Sequence, residues 1–220
     1  MWRLTFVMRD VKLIIFDLDG TVNDSSPGII YCFQKTGELY GVHDIPPEKM
    51  NAALCGPFEV NIAKVLNLKP NQVDEAIQKY VKFYLDKGAK MSRLFPGVKE
   101  ALTDLKSKGY LIGLATMMVE EYAKDTLRNS GILGLFDTVH GTNFTTPYAK
   151  EDLIDFCLME LGLSPEEAVL IGDGIDDHRA AKISRVGFIA AKYGYEIKDE
   201  YCDNTGIKGI WSAKELSDMF

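Results

Sequence analysis

Five short apolar runs rich in branched residues alternate with amphipathic helical patterns along most of the chain. Most of these runs are apolar at successive positions, which is typical of strands covered on both faces in a parallel sheet. The helical patterns end at glycine, as PGVKEALTDLKSKG does at Gly109. This alternation predicts an α/β fold with a doubly wound, mostly parallel sheet. The predicted strands are residues 11–16, 110–115, 136–140, 168–171 and 186–190.

Residues 25–93 interrupt the alternation, because they are predicted to form consecutive helices. In the clearest of them, residues 71–88, apolar side chains recur along one stripe of the helix. We therefore predict an α/β core made of residues 1–24 and 94–220, with a helical cap at residues 25–93 inserted after the first strand.

The composition narrows the class of protein. A chain of 220 residues with 46% hydrophobic content can bury a sizeable core, and a net charge of −7 argues against broad binding of nucleic acid or of an anionic membrane. The four cysteines show no CxxC pair and no metal-ligand spacing, which favours reduced thiols. Without a leader pattern or an apolar run near the roughly 20 residues of a membrane span, a soluble cytoplasmic protein is expected. Met8, just before the first predicted strand, leaves open that residues 1–7 are a dispensable extension, and the oligomeric state also stays open.

Polar side chains occur after four of the predicted strands. Asp17 and Asp19 follow the first strand, Thr116 follows the second, Lys150 lies in the loop region after the third, and GDGIDD at residues 172–177 follows the fourth. Ligands bind at the carboxyl ends of strands in open parallel sheets. We therefore expect these side chains to meet at one edge of the sheet.

Each acidic motif also has a purely structural explanation. In DLDGT, Asp19 and Gly20 suit a tight turn, and the acidic residues of GDGIDD suit the first turn of a helix. The turn explains Asp19 but leaves Asp17 unexplained. Together the motifs supply carboxylates without histidine or thiolate partners, a set that favours a hard cation such as Mg²⁺. These carboxylates are Asp17, Asp19 and Asp173, and Asp177 lies one helical turn further on.

FDLDGT, Thr116, Lys150 and GDGIDD resemble, in their order, the four motifs of the haloacid dehalogenase superfamily. The helical insert between the first two motifs resembles the type 1 cap of the phosphoglycolate phosphatase-like branch, as do LFPGVKEALTDLKSKGYLIGLAT and VGFIAAKYGY. The resemblance covers residues 11–195. It implies a Mg²⁺-dependent phosphatase that acts on a small phosphate monoester, such as phosphoglycolate, a sugar phosphate or a nucleotide.

The resemblance assigns the central chemistry to the first motif. Asp17 would attack phosphorus and form an aspartyl-phosphate, a task that a carboxylate can perform on a metal-polarised phosphoryl group. Asp19 would protonate the leaving oxygen and then take a proton from the hydrolytic water, and its backbone carbonyl would face Mg²⁺. Because a halide leaving group needs no proton, Asp19 favours phosphoryl transfer over dehalogenation.

The other motifs would supply a metal ligand and positive charge. The resemblance makes Asp173 a metal ligand together with the two aspartates of the first motif. Asp177 would position a metal-bound water or a neighbouring group. Thr116 would donate its hydroxyl to the phosphate, and Lys150 would neutralise charge on the phosphate and on the nucleophile.

Two positions depart from the usual motifs. Met117 follows Thr116, where a small polar residue is common, so the substrate contact at this position is open. Glu151 replaces the proline that usually follows the lysine, which weakens the third motif. The structural alternative for Lys150 is a solvated surface lysine.

The helical cap is expected to close over the site, exclude water and select the substrate. Asp24 lies at its predicted hinge. The loop LCGPF at residues 54–58 is a candidate to face the substrate, although a plain connector between helices explains it equally well. Arg93 and Lys64 are candidates to bind a substrate carboxylate, but exposed basic residues usually contact only water.

Two other functions stay open. A phosphomutase of the β-phosphoglucomutase type would form the same aspartyl-phosphate but return the phosphoryl group to a sugar. A non-catalytic binding or regulatory protein would keep the fold without turnover. Such a protein would need neither the nucleophile Asp17 nor the acid Asp19.

Overall fold

The computed structural model describes residues 10–56, 58–143, 145–146 and 148–220. Residues 1–7, the candidate extension, lie outside the described residues, as does Pro57 of the candidate loop 54–58. The described residues divide into two compact units, one within residues 1–22 and 94–220 and the other within residues 23–93.

The described residues form eight β-strands and ten α-helices. The strands are β1 Leu13–Phe16, β2 Asn23–Asp24, β3 Arg93–Leu94, β4 Leu111–Val119, β5 Thr138–Thr142, β6 Ala168–Gly172, β7 Gly187–Ala191 and β8 Lys208–Ile210. The helices are α1 Ser26–Leu39, α2 Pro47–Ala52, α3 Phe58–Val65, α4 Val73–Asp86, α5 Val98–Ser107, α6 Glu120–Asn129, α7 Lys150–Leu161, α8 Ile175–Ser184, α9 Asp199–Thr205 and α10 Leu216–Met219.

Six strands form one parallel sheet in the order β5-β4-β1-β6-β7-β8. In this sheet Leu13 of β1 lies between Leu111 of β4 and Ala168 of β6. Each of the five predicted strands overlaps one strand of the sheet, and the prediction of an α/β fold with a parallel sheet is confirmed. The sequence pattern does not predict β8, because its three residues, KGI, carry too little apolar signal.

The central strand β1 is buried on both faces. Ile14 and Phe16 belong to one apolar cluster with residues of α5, α6 and α10, while Leu13 and Ile15 belong to another with residues of α7 and α8. Successive strand residues point to opposite faces, so an all-apolar strand needs helices on both sides. Burial of each such side chain contributes roughly 1.5–3 kcal/mol. This packing fixes the end of β1, where Asp17 follows.

The unit formed by residues 23–93 has its own apolar core. Phe33 of α1 packs edge to face on Tyr80 of α4, with ring centroids 5.3 Å apart, and the ring of Phe58 lies 4.6 Å from that of Tyr80. Phe58, the last residue of the predicted loop 54–58, therefore begins α3 and packs in this core. The core accounts for the consecutive helical patterns in the sequence.

Two contacts lie at the ends of this second unit. Arg93 Nη2 is 3.2 Å from Asp24 Oδ2. Asp24 Oδ1 accepts hydrogen bonds from the backbone N–H and the hydroxyl of Ser26, the first residue of α1. Arg93 thus has an acidic partner within its own unit, and Asp24 stabilises the start of α1.

None of the helices in the described part of the chain combines the length and apolar character that crossing a bilayer requires. All four cysteines are free. Burial raises the pKa of Cys32 and that of Cys157 to about 12. Both thiols therefore stay protonated at neutral pH and are poor nucleophiles.

Candidate active site

Two neighbouring strands carry aspartates to the same edge of the sheet. Asp17 directly follows β1, and its backbone N–H donates to the carbonyl of Ile171 in β6 at 2.9 Å. Asp173 directly follows β6. Because β1 and β6 are parallel, their carboxyl ends lie side by side, as the sequence predicts for this sheet.

A buried lysine joins the carboxylates at this edge. Lys150 Nζ lies 2.5 Å from Asp17 Oδ1 and 2.8 Å from Asp177 Oδ1. Side-chain oxygens of Asp17, Asp173 and Asp177 lie within 4.8 Å of one another, and all four residues are buried. Lys150 is only 6% exposed, so it is not a solvated surface lysine.

Lys150 is the first residue of α7, whereas the sequence places it in a loop after the third strand. The helix begins here because Asp152 Oδ2 accepts a hydrogen bond from the backbone N–H of Ala149 at 2.8 Å. A helix start gives the lysine a defined backbone direction, and its long side chain then reaches the aspartates. Glu151, in place of the usual proline, is compatible with this first turn.

Burial and charge shift the pKa values of the clustered groups in defined directions. Burial alone would lower the pKa of Lys150, but attraction to Asp17 and Asp177 outweighs it, so the pKa is raised and the ammonium stays charged. Burial raises the pKa of Asp17 well above its usual range; Lys150 opposes this rise, and the neighbouring aspartates add to it. Burial, reinforced by Asp177, raises the pKa of Asp173 to about 7. The Lys150 ammonium thus does not supply enough positive charge to keep the pKa of Asp17 and that of Asp173 in their usual range.

The Asp173 carboxylate is held at both of its oxygens. Thr21 Oγ1 donates to Oδ1 at 3.3 Å, and the backbone N–H of Tyr195 donates to Oδ2 at 2.6 Å. Gly20, at φ +85°, lies so close that a Cβ there would overlap this carboxylate. The glycine of DLDGT therefore serves both the turn and the site.

Asp177 is positioned by two glycines of GDGIDD. Its Oδ2 accepts a hydrogen bond from the backbone N–H of Gly174 at 3.0 Å. A Cβ at Gly172 would lie 2.5 Å from the same oxygen, so only glycine allows this approach. The other oxygen of Asp177, Oδ1, forms an ion pair with Lys150, so Asp177 connects the fourth motif to the third.

The remaining candidates lie at this edge of the sheet in different environments. Asp19 is partly buried. Among the described residues, the cluster of carboxylates that could hold a metal consists of Asp17, Asp173 and Asp177 and does not include Asp19. Thr116 is 2% exposed, at the point where the pairing of β4 with β5 shifts register. Its Oγ1 accepts a hydrogen bond from the backbone N–H of Met118 at 3.1 Å. Met117 is 52% exposed, while Met118 packs against the core, so the two methionines differ in environment.

The structure adds residues that the sequence interpretation misses. Thr21 and Tyr195 both donate to Asp173, and Tyr193 donates its hydroxyl proton to the carbonyl of Thr21 at 3.0 Å. The two tyrosines lie just beyond the carboxyl end of β7. The strand-end rule that identifies Asp17 and Asp173 points to the segment after β7, but it does not show that Tyr195 acts through its backbone N–H.

The donor set fits one divalent hard cation. When every group is ionised, three carboxylates and one ammonium leave two uncompensated negative charges in a buried site. The available ligand atoms are carboxylate oxygens, which Mg²⁺ prefers over softer donors. Burial and, to a lesser degree, repulsion between the carboxylates raise the pKa of Asp17 and that of Asp173, and a cation at these oxygens would offset both effects.

Comparison of the chain with known proteins identifies the family to which it is similar. The profile of the family described as haloacid dehalogenase-like hydrolase matches residues 14–191. The chain is 29% identical to a phosphoglycolate phosphatase from Nitrosococcus oceani, over 96% of this chain and 98% of that protein. It is 28% identical to the tyrosine-protein kinase PtkA of Mycobacterium tuberculosis, over 94% of this chain and 71% of that protein.

A solved structure shows the same fold over almost the full length. A haloacid dehalogenase-like family hydrolase from Streptococcus pneumoniae superposes with a TM-score of 0.88 at 30% identity, covering 96% of this chain and 99% of that one. The family expected from the four motifs is thereby confirmed. The chain belongs to the haloacid dehalogenase-like hydrolases.

Proposed function

We propose that this chain is a Mg²⁺-dependent phosphatase that hydrolyses a small phosphate monoester through an aspartyl-phosphate on Asp17. The observation that carries the proposal is the buried ion pair of Lys150 and Asp17 beside two further carboxylates. A related protein named phosphoglycolate phosphatase makes phosphoglycolate the first substrate to test. Sugar phosphates and nucleotides are the next.

Asp17, Asp173 and the backbone carbonyl of Asp19 would hold the cation. Bound Mg²⁺ would supply positive charge that offsets the phosphate and the carboxylates. The oxygen-only donor set and the two excess negative charges support this assignment.

In the first step, Asp17 displaces the alcohol from phosphorus. Lys150 engages Oδ1 of Asp17, which leaves Oδ2 of the same carboxylate for the attack. A bond forms between this oxygen and phosphorus while the bond from phosphorus to the alcohol oxygen breaks. Asp19 transfers its proton to that oxygen, because an alkoxide is a poor leaving group.

In the second step, water attacks the phosphorus of the aspartyl-phosphate. Asp19, now ionised, accepts the proton of the water, and the bond between phosphorus and Asp17 breaks. Inorganic phosphate leaves and both aspartates return to their starting states. One carboxyl group thus serves as acid and then as base.

Thr116 and Lys150 stabilise the charge on the transferring group. A hydroxyl can accept and donate at the same time, so the bond from Met118 leaves the Thr116 proton for a phosphate oxygen. The Lys150 ammonium stays charged and is held by two carboxylates. Preorganised donors of this kind lower the barrier because they need no reorientation during the reaction.

Substrate selection is assigned to the helical unit, residues 23–93. Leu54 and Cys55 are partly exposed, whereas Phe58 packs in the core of that unit. Substitution of Leu54 is therefore expected to change KM and the ranking of substrates while the melting temperature stays constant. Unchanged substrate ranking would leave this loop as a plain connector.

The test is a phosphate-release screen over small phosphomonoesters, with Mg²⁺ and with a chelator. Wild type is compared with Asp17→Asn and with Asp155→Asn, which makes the same chemical change at an exposed site on α7. Release should require Mg²⁺, disappear in Asp17→Asn and persist in Asp155→Asn. Activity that survives the Asp17 substitution or metal removal contradicts the mechanism.

Other outcomes identify the competing functions. Isomerisation of a sugar phosphate without net phosphate release would indicate a phosphomutase. Transfer from ATP to protein tyrosine, measured because a relative is named as a kinase, would indicate phosphoryl transfer to protein. Absence of turnover on every substrate would support a binding or regulatory protein.

A further inference from the structure

The loop that follows β7, residues 192–198, holds Asp173 by its side chain and by its main chain. The backbone N–H of Tyr195 donates to Asp173 Oδ2 at 2.6 Å. The backbone N–H of Ile197 donates to the Asp173 carbonyl at 2.8 Å. We call residues 192–198 the β7 loop.

Gly194 allows the β7 loop to approach the first motif. A Cβ at position 194 would lie 2.6 Å from Asp173 Oδ2 and would overlap the Gly20 carbonyl oxygen. These neighbours are a carboxylate and a main-chain atom, and neither can move aside like the end of a flexible side chain. Any larger residue at this position would displace the loop or the carboxylate.

Tyr193 connects the same loop to Thr21. Its hydroxyl donates to the Thr21 carbonyl at 3.0 Å, and Thr21 Oγ1 donates to Asp173 Oδ1 at 3.3 Å. Burial raises the pKa of Tyr193, so the hydroxyl keeps its proton and acts as the donor. The ring of Phe95 packs against Tyr193 and Tyr195, with centroids 5.1 and 6.3 Å apart.

Each carboxylate oxygen of Asp173 thus has a donor that depends on the β7 loop. Tyr195, which donates to Oδ2, belongs to the loop, and Thr21, which donates to Oδ1, is hydrogen-bonded by Tyr193 of the loop. A carboxylate oxygen accepts more than one bond, so each oxygen keeps a lone pair while the orientation of the group is fixed. Substitution of a residue that orients a metal ligand typically weakens metal binding by about 10- to 100-fold.

We propose that the β7 loop fixes the Asp173 carboxylate in the orientation that binds the cation, with Gly194 and Tyr193 as positioning residues. The inference rests on the proposed function, because it requires Mg²⁺ at Asp173. It assigns to the β7 loop a role that none of the four motifs contains.

The test measures Mg²⁺ dissociation constants by calorimetry on wild type, Gly194→Ala and Tyr193→Phe. Gly134→Ala is the glycine control, since a Cβ at Gly134 meets no atom within 4 Å. Tyr110→Phe is the tyrosine control, because it removes a hydroxyl that donates to a main-chain oxygen, that of Phe220, at 3.0 Å. Circular dichroism melts report whether each variant is folded.

Gly194→Ala should bind Mg²⁺ about 10- to 100-fold more weakly, and Tyr193→Phe should weaken binding by a smaller factor. Both controls should bind as wild type does, and excess Mg²⁺ should restore phosphate release in the two site variants. If Gly194→Ala does not fold, Tyr193→Phe decides, because it removes a single oxygen atom.

Wild-type affinity in both Gly194→Ala and Tyr193→Phe would overturn the role of the β7 loop and leave the proposed function intact. Wild-type protein that neither binds Mg²⁺ nor releases phosphate would overturn the proposed function, and the inference with it.

Discussion

Lys150 Nζ lies 2.5 Å from Asp17 Oδ1, and both side chains are almost completely buried. A buried charge is costly unless it is paired, and removal of one partner leaves the other charge uncompensated. The ammonium pairs with Asp17 and Asp177, and a side-chain oxygen of Asp173 lies within 4.8 Å of oxygens of both aspartates. The lysine is therefore expected to stabilise the fold, and the proposed function gives it a second role in the chemistry.

Lys150→Met should lower the free energy of unfolding of the metal-free protein at pH 7 by about 3 kcal/mol, because the carboxylates lose their counter-charge. Phosphate release should be abolished. Urea denaturation followed by circular dichroism measures the first effect. Lys79→Met is the control, because Lys79 is exposed and its ion pair with Glu75 is long, at 4.0 Å. This substitution should change the free energy of unfolding by less than about 1 kcal/mol. Equal effects of the two substitutions would contradict the buried pairing.

The raised pKa of Asp173 predicts that metal-free protein loses stability as the pH rises. The pKa is about 7 in the folded state, against an ordinary value of 3.8 in the unfolded chain, so the folded state binds more protons between these two pH values. Stability from this group is fully present below pH 3.8 and is lost through pH 7. Between pH 5 and pH 8 the loss is about 2–3 kcal/mol.

Thermal melts in a chelator at several pH values measure this dependence. Asp173→Asn has no titrating group at this position, so its melting temperature should fall less over the same range. Saturating Mg²⁺ should also flatten the curve, because a cation keeps the carboxylate ionised. A wild-type curve that rises from pH 5 to pH 8 in chelator would contradict the assignment.

The sheet and the edge that carries the candidate site follow from the sequence because their signals are local. Every residue of β1 is apolar, so the strand must be covered on both faces, and this places Asp17 at a carboxyl end. The start of α7 at Lys150 is harder to predict from the sequence. Asp152 caps this helix, but it lies in an acidic stretch in which no single residue is marked as the cap.

The β7 loop shows what sequence patterns omit. Tyr195 acts through its backbone N–H and Gly194 through the absence of a side chain. Neither contribution is visible in the type of side chain at that position. Both depend on the approach of β7 to β6, which is a property of the folded sheet.

Asp19→Asn should remove the proton donor of the first step. Steady-state hydrolysis of an alkyl phosphate should fall by about 10²- to 10⁴-fold. With p-nitrophenyl phosphate the leaving group needs little protonation, so the first-turnover burst of nitrophenol should persist while later turnovers slow. Rapid-quench kinetics separates the two phases, and Asp17→Asn, which lacks the nucleophile, should give no burst. A burst lost equally for both variants would argue against Asp19 as the acid.

Asp24 and Arg93 should contribute unequally although they form one ion pair. Arg93 is 76% exposed and Asp24 only 14%, and exposed ion pairs stabilise by about 0–1 kcal/mol. Asp24 also accepts two hydrogen bonds from Ser26 at the start of α1. Thermal unfolding should therefore show a loss of about 1–2 kcal/mol in Asp24→Ala and a smaller loss in Arg93→Ala. KM should be unchanged in Arg93→Ala if Asp24 is its partner, whereas a raised KM for a substrate that carries a carboxylate would assign Arg93 to substrate binding.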